Sequence, residues 1–571
     1  MDVGKLSVPE TPGWDSEVDV LIVGSGAGAL TAAVIAADAH AEVAVIEKGA
    51  LFGGTSATSG GVIWIPNSPL ADPKLHQDSP EEAFTYIAAL TEGQVPEARI
   101  RAFVDNAPKM LAYMTAHSEV RYTAIPYTDY HAELPGGKHG YRSHEATPID
   151  GRRLGRDLVH LRPTHVSQLL FGRMSWTSSE ASPMITRSKG WVGKLLNVVG
   201  RYYLDLGERM RSSRSRYLVC GNALLARLKL SLDARGVAIQ RSTRLIELVR
   251  EGEAVTGAVI EQDGKRLRVR ARRAVILAAG GFERNPELRA RHLGRTVNPE
   301  WSGAQPNNTG DALLAAEAVG AATARLGSAW WAPTIKVPGE ESARPLFFER
   351  SLPGSIIVNQ VGRRYMNEAA SYHIVGRDMM ENNTPAAPTS PSWVLFDQRF
   401  HWRYPMGPMM PMIPDFLHPK PVRDILVKAR SWDEMADRLG IDRAVLNETI
   451  TRFNANARAG QDPEFGRGHQ PYDRFYGDPK VTPNPNLLPL EQAPFYALPI
   501  FPGDIGTNGG LVTDANAQVL DTDGQPIRGL YAIGNTAASV MGPSYPGAGA
   551  TIGPAMTFGF IAARHAMGVN G

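Results

Sequence analysis

Apolar positions along this chain fall into distinct textures. Residues 18–23 are nearly all apolar, as expected of a strand buried on both faces. The run stops at Gly24-Ser25-Gly26-Ala27-Gly28-Ala29, and the small, apolar residues 30–37 have helical composition. A second apolar run, 41–46, ends at Glu47. Residues 80–120 read as helical, with Ser79 as cap and Pro80 at the first position. Another apolar helix begins at Gly221 and runs through Leu232. From 237 to 277 the alternation predicts a β-meander, with strands over 237–239, 243–249, 254–261 and 266–269. It feeds an apolar strand that ends in Ala278-Ala279-Gly280-Gly281-Phe282.

Residues 291–492 differ in texture. They are richer in Trp, Met, Pro and His and lack a second glycine turn, and amphipathic helices are predicted over 431–438 and 443–457. The first texture returns at Pro494, with strand and turn character near 506–514 and 530–535, dense glycines over 542–553 and a closing helix over 558–567. The pattern therefore predicts an α/β protein in three segments. Residues 1–290 and 493–571 form one dinucleotide-binding unit, and 291–492 form an inserted α+β substrate unit. Residues 1–16 are a flexible lead-in, and 150–215, rich in Arg, Ser and Leu, carry little pattern.

The strand–glycine turn–helix at the start is the first chemistry. Gly24 permits a tight turn, Gly26 lets the backbone approach a pyrophosphate, and the small Ala29 allows close helix–strand packing. The helix N-terminus then offers free N–H groups to the phosphates. Glu47 lies about 20 residues further on, where a ribose 2′-hydroxyl is held. Glu47 suits an unphosphorylated ribose, so FAD or NAD rather than NADP. The next stretch, from Lys48 through Gly53-Gly54-Thr55-Ser56 to Gly60-Gly61, is dense in Gly, Ser and Thr and suits a loop lying along a flat cofactor.

Composition mostly excludes. With 571 residues, 43% hydrophobic, the chain can bury large cores, and a net charge of +2 provides no field for nucleic acid. A single cysteine, Cys220, rules out a disulfide framework, a cysteine-ligated zinc cluster or an iron–sulfur centre within the chain, and it reads as a buried small residue. There is no secretory pattern at the N-terminus and no apolar run long enough to span a bilayer; Lys194, Arg201 and Asp205 interrupt the partly apolar stretch near 191–206. The expected location is cytoplasmic, with loose membrane attachment left open and no integral membrane segment.

Several passages together resemble the fumarate reductase/succinate dehydrogenase flavoprotein superfamily. They are the glycine turn with Glu47, the Gly53-Gly54-Thr55-Ser56 loop, the Ala279-Gly280-Gly281-Phe282 strand end and the Gly534-Asn535 block. Within that superfamily the chain is similar to the 3-ketosteroid Δ1-dehydrogenases. The similarity is carried by Asp129-Tyr130 with Pro135-Gly136-Gly137-Lys138, by the residues from Pro353 to Asn359 with Tyr365-Met366-Asn367-Glu368 and Tyr372, by the stretch from Tyr472 to Pro483, by Pro502-Gly503-Asp504-Ile505-Gly506-Thr507, and above all by the block from Met541 to Gly559. It runs nearly end to end and is weak over 155–215.

The resemblance implies a Rossmann-like FAD-binding domain with an inserted α+β catalytic domain. It also implies non-covalent FAD and 1,2-desaturation of the A ring of a 3-ketosteroid, with an electron acceptor it does not identify. The cofactor set it implies is Gly24, Ser25, Gly26, Gly28, Ala29, Glu47, Lys48, Gly54, Thr55, Ser56, Gly60, Gly61, Ala279, Gly280, Gly281, Gly534, Asn535, Ala550, Thr551 and Ile552. Tyr545 and the N–H of Gly549 would polarise the keto oxygen, Tyr372 would take the C2 proton, and Tyr130 would support Tyr372, with Tyr127 as second choice. Packing is the competing role for each of these rings, since the chain has 17 tyrosines. His131, His144 and His373 read as local hydrogen-bonding residues, with no metal ligand set. Trp330 and Trp331 read as core or pocket wall, and Met409, Met410 and Met412 as core or an apolar pocket lining. Tyr141-Arg142-Ser143 departs from the Gly-Arg-Ser of many relatives and places a ring near Tyr130.

Three alternatives stand beside this reading: a 3-ketosteroid Δ4-(5α)-dehydrogenase, a fumarate reductase-like flavoprotein, and a flavin-binding protein without catalysis. Ile505 stands where fumarate reductases carry a histidine before their Thr-x-Gly-Gly element, which disfavours the second.

Overall fold

A computed structural model describes residues 13–294 and 297–569. Most of the expected lead-in, residues 1–12, lies outside the described residues.

The first strand, Ser16–Val23, sits inside an eight-stranded sheet. It runs parallel to Val43–Ile46 on one side and to Lys265–Leu277 on the other, in register Val23 to Ile46 and Val23 to Leu277. Pro526–Ala532 runs parallel to Lys265–Leu277, pairing Ala532 with Leu277. Four parallel strands therefore end at one edge, delivering Gly24, Glu47, Ala278 and Ile533 together. In an open parallel sheet, that carboxyl edge is where a ligand binds. The predicted meander is present as Thr243–Glu251, Ala254–Gln262 and Lys265–Leu277, the last a single long strand where two had been expected.

The helix after the turn, Ala27–Asp38, is apolar on nearly every side because it is buried on nearly every side. It packs along the closing helix, Ile552–Met567. The approach is close: a side chain on Gly28 would lie 2.6 Å from the carbonyl oxygen of Ala555. Helices Pro80–Thr91 and Glu97–His117 cover the same core, and the Ser79 hydroxyl caps the first by accepting from Glu82 N–H.

A second, six-stranded sheet is built from Ala329–Ile335, Arg344–Pro345, Ser355–Val358, Ser392–Asp397, Val427–Ala429 and Phe495–Thr507. Phe495–Thr507 pairs with Ala329–Ile335 on one side and with Ser392–Asp397 and Val427–Ala429 on the other. The sequence boundary at 492–493 therefore falls early: this strand belongs with the inserted segment. A continuous apolar strand carries no mark of which sheet it joins, so the texture could not place it. The predicted helices of this segment are present as Trp432–Leu439 and Arg443–Ala459. No helix among the described residues is long and apolar enough to cross a membrane.

Candidate active site

Gly24 opens the site. Its φ is +110°, and a side chain there would stand 2.3 Å from the carbonyl oxygen of Ala278 on the neighbouring strand end, so only glycine fits. The turn it makes leaves the first amides of Ala27–Asp38 pointing away from the helix. Ala27 N–H donates to the Ser56 hydroxyl at 3.2 Å, whereas those of Gly26, Gly28 and Ala29 meet no acceptor in the described chain. Buried amides left in this way fit an anionic ligand at the helix N-terminus.

Glu47 lies beside them, 8% exposed. Its carboxylate accepts from the Ser25 hydroxyl at 2.5 Å and from Gly49 N–H at 2.7 Å. Burial pushes this carboxyl above its ordinary value, against the lowering effect of those two donors. Ser25 accepts in turn from Gly53 N–H at 2.8 Å, so the turn and the following loop are tied through one hydroxyl. The Thr55 hydroxyl accepts from Asn308 and the Gln305 amide, which belong to the inserted segment.

These groups line one cavity of about 540 Å³. All of the expected cofactor residues line it except Gly281 and Ala550. Gly281 faces away: a side chain there would meet the Thr507 hydroxyl at 2.0 Å, so its smallness serves packing under the strand and not contact with a ligand. Ala550 is fully buried in the core beneath the same wall. Cys220 touches the cavity, but burial pushes its thiol up to about 12, so it is an unreactive, buried small residue.

At the far end of the cavity stand the tyrosines. Tyr130, Tyr372 and Tyr545 come from three distant parts of the chain, and all three line it. Ring centroids are 5.5 Å apart for Tyr130–Tyr372, 5.4 Å for Tyr130–Tyr545 and 5.3 Å for Tyr372–Tyr545. Each is held by backbone. Tyr130 N–H donates to Pro546 O at 2.9 Å, joining it to the loop that carries Tyr545, and the Tyr86 hydroxyl donates to the same carbonyl at 2.7 Å. Asp129, beside Tyr130, is fixed by Trp64 and by Arg142, which also pairs with Asp78. Tyr372 is the first residue of the helix Tyr372–Glu381, capped by Ser371 and packed on Ala329–Ile335. Its neighbour Phe347 stands 5.0 Å away.

The Tyr545 loop is clamped from several sides. The Ser143 hydroxyl donates to Ala548 O, Trp64 N–H donates to Gly549 O, and His373 bonds Pro543 O. Gly549 has φ +98°, and a side chain would come within 2.5 Å of the Ile63 carbonyl carbon. Its N–H finds no acceptor in the described chain, although the residue is buried and lines the cavity. Thr551 and Ile552, at the N-terminus of the closing helix, line the cavity just beyond it. Asn535 accepts from the Trp330 indole at 3.1 Å, and Trp330 meets Tyr545 edge-on at 5.1 Å.

The structure separates the other candidates. Tyr127 also lines the cavity, but its ring packs against Phe475 and Tyr476 instead of Tyr372. Of the three methionines, Met410 lines the cavity, Met409 is core and Met412 is 42% exposed. Tyr141 turns to His76, 6.0 Å between centroids, and does not line the cavity. His144 bonds Arg142 O, and no cluster able to hold a metal occurs among the described residues.

Nothing in the sequence marks a role for Tyr472, Phe347 or Tyr476. Tyr472 lies 4.7 Å from Tyr130 and 5.1 Å from Tyr476, completing an aromatic wall. The weakly patterned region also contributes: Gln168, Trp176, Ser178 and Ile185 line the outer cavity. Among the lining residues the one lysine or arginine is Lys48, paired with Asp311 at 2.8 Å.

A family described as an FAD binding domain matches residues 19–552. The chain is 38% identical to a 3-oxosteroid 1-dehydrogenase of Mycobacterium tuberculosis, over 96% of this chain and 98% of the relative. It is 37% identical to a 4-oxocyclohexanecarboxylate 2-dehydrogenase of Sinomonas cyclohexanicum, over 96% of this chain and 92% of the relative. It matches the crystal structure of a 3-ketosteroid delta1-dehydrogenase from Sterolibacterium denitrificans in complex with 1,4-androstadiene-3,17-dione with a TM-score of 0.93 and 42% identity, covering 97% of this chain and 100% of that one. The expectation of FAD in place of NAD is met by the matched family. A match over nearly the whole chain, in sequence and in fold, places this protein in the FAD-binding flavoprotein family, among the 3-oxosteroid 1-dehydrogenases.

Proposed function

We propose that the protein desaturates the C1–C2 bond of the A ring of a neutral 3-ketosteroid. The observation that carries this is the meeting of three buried tyrosines with the unpaired Gly549 N–H at the end of a cofactor-sized cavity. FAD, when bound, supplies an acceptor for the C1 hydrogen as hydride. The amides of Gly26, Gly28 and Ala29 and the carboxylate of Glu47 would hold its adenosine diphosphate end. Thr551 and Ile552, at a helix N-terminus, favour negative charge at the other.

Desaturation next to a ketone needs the C2 proton made acidic and then removed. In this reading the Tyr545 hydroxyl and Gly549 N–H donate to the keto oxygen, stabilising the enolate charge as it develops. Tyr372 takes the C2 proton. Burial raises the Tyr372 hydroxyl well above the ordinary phenol value, Tyr545 raises it further, and Tyr130 lowers it by hydrogen bonding. Burial also raises Tyr545, which its bonds to Tyr372 and Thr551 lower.

The cavity chemistry favours a neutral ring ketone over a carboxylate-bearing one. A carboxylate calls for a cation in the site, and Lys48 is already paired at the Glu47 end. The same argument disfavours a dicarboxylate. The test is anaerobic mixing of the FAD-loaded enzyme with 4-androstenedione, 5α-androstanedione and 4-oxocyclohexanecarboxylate, followed by product analysis. Flavin bleaching with a new C1–C2 double bond supports the proposal. A product desaturated only at C4–C5, reaction only with the cyclohexane acid, or no bleaching at all would overturn it.

A further inference from the structure

One buried charge has no part in the scheme above. Arg350 is fully buried, in the short helical turn Glu349–Ser351, and forms no salt bridge among the described residues. Its guanidinium instead donates to three backbone carbonyls: Glu368, Ala370 at 2.5 Å and Phe347 at 3.1 Å. Its Nε meets no acceptor. A buried cation with no directly paired carboxylate is expensive to keep, since its desolvation is offset only in part.

The placement of those carbonyls is informative. Ala370 lies just ahead of Ser371 and Tyr372, and Phe347 packs on the Tyr372 ring. On its other side the guanidinium faces Tyr472, near enough for its charge to hold that hydroxyl down. Tyr472 in turn stands 4.7 Å from Tyr130, and Tyr130 stands 5.5 Å from Tyr372. The arginine thus lies at the closed end of a row of phenols that leads to the base.

We propose that Arg350 is a positioning residue for proton abstraction, a fixed positive charge that stabilises the phenolate form of the Tyr372–Tyr130–Tyr472 row. The inference rests on Tyr372 being the base. The phenolate forms when one proton of the row passes to solvent. Tyr372 later accepts the C2 proton of the ketone and becomes a phenol again, so the row carries a single negative charge before the step and none after it.

The surroundings support the direction. The charged and titratable groups that face this position are Glu349, Asp473, Tyr472, Tyr476 and, through its bond to Arg350 O, Arg467. Burial raises the carboxyls of both Glu349 and Asp473, which disfavours their anionic forms. Arg467 is itself paired with Glu368. Burial raises Tyr472, and Arg350 lowers it by charge and by hydrogen bonding. Guanidinium keeps its proton under all these conditions.

The test compares Arg350→Met, Arg350→Lys and Tyr472→Phe in the FAD-loaded enzyme. Two readouts are needed: spectroscopic titration of tyrosinate without steroid, and the pH profile of flavin bleaching with 4-androstenedione. An opposite charge a few ångströms away moves a pKa by about 1–3 units. Arg350→Met is therefore expected to move the first tyrosinate transition and the rising limb of the bleaching rate upward by about 1–2 units, with about a tenfold loss of rate per unit below the limb. Arg350→Lys keeps the charge and should restore most of that shift. Tyr472→Phe breaks the row with Arg350 in place and should shift the limb in the same direction, which keeps the proposal testable if Arg350→Met does not fold. An unmoved limb in both Arg350→Met and Tyr472→Phe, or a lysine variant shifted as far as methionine, overturns it. The steroid-free titration separates this from failure of the steroid reading, because it needs no substrate.

Discussion

Tyr130 and Tyr545 come from opposite ends of the chain and lie stacked, ring planes 17° from parallel and centroids 5.4 Å apart. The contact is set by backbone, because Tyr130 N–H donates to the carbonyl of Pro546, the residue after Tyr545. The hydroxyl that would polarise the ketone and the one that would support the base are thus parts of one rigid unit.

That rigidity makes Tyr545→Phe a clean experiment. The ring stays, so its packing against Trp330, Tyr130 and Tyr372 survives, and FAD binding should be unchanged. Loss of one oxyanion donor lowers turnover by about 100- to 1,000-fold. The measurement is steady-state turnover with 4-androstenedione beside the bound-flavin spectrum; turnover within a few-fold of the parent would remove Tyr545 from the mechanism.

A graded series checks the base. Tyr372→Phe should abolish steroid-dependent bleaching. Tyr130→Phe should leave a slower enzyme whose rate rises at higher pH, because the hydrogen bond that lowers Tyr372 is gone. Tyr127→Phe should leave the pH profile in place, since Tyr127 packs on Phe475 and Tyr476 and not on Tyr372. Stopped-flow bleaching across pH orders the three, and a Tyr127 variant as impaired as Tyr130 would reverse their roles.

The difference between Tyr127 and Tyr130 marks what a sequence can show. The nucleotide edge was legible because its parts are local: a strand, Gly24 and a helix follow one another, and each constrains the next. The roles proposed for Tyr372 and Tyr545 come only from resemblance. Nothing in the spacing of either places its ring beside Tyr130; tertiary packing does. Tyr472 and Arg350 were missed for the same reason, as each meets its partners only after the second sheet forms. Gly281 was misread because a glycine that touches a ligand and one that clears room for Thr507 look alike in sequence.

Gly549→Ala tests the second oxyanion donor. The backbone there is left-handed and the new methyl would overlap Ile63, so the loop must move. Strain of this kind costs about 1–3 kcal/mol, and the displaced N–H should also lower turnover. Gly193→Ala is the control: it has an ordinary φ, open space around it and no place in the cavity lining. Thermal unfolding and turnover should both fall for the first and hold for the second; a Gly549→Ala variant with turnover within a few-fold of the parent would remove the Gly549 amide from the mechanism.

Acid stability follows from three buried histidines. Burial lowers His144, His165 and His373 to about 4, from 6.5 for an exposed ring. The unfolded chain then binds more protons than the folded one between those values, so stability is full above about pH 6.5 and falls as the pH drops to about 4. Asp378 acts in the opposite sense: burial raises it to about 6, so acidification restores a part of that loss between about 6 and 4. Glu47, Glu349 and Asp473, whose carboxyls burial also raises, act in the same sense as Asp378, so each histidine is read singly, at roughly 1.4 kcal/mol per pH unit for its proton. Chemical denaturation at pH 7, 6, 5 and 4 measures it. His373→Gln keeps a donor for Pro543 without a titrating ring, and it should flatten the slope by about one proton. A slope unchanged by that variant would mean that His373 is already protonated in the folded enzyme, and its bond to the Tyr545 loop would then carry a charge.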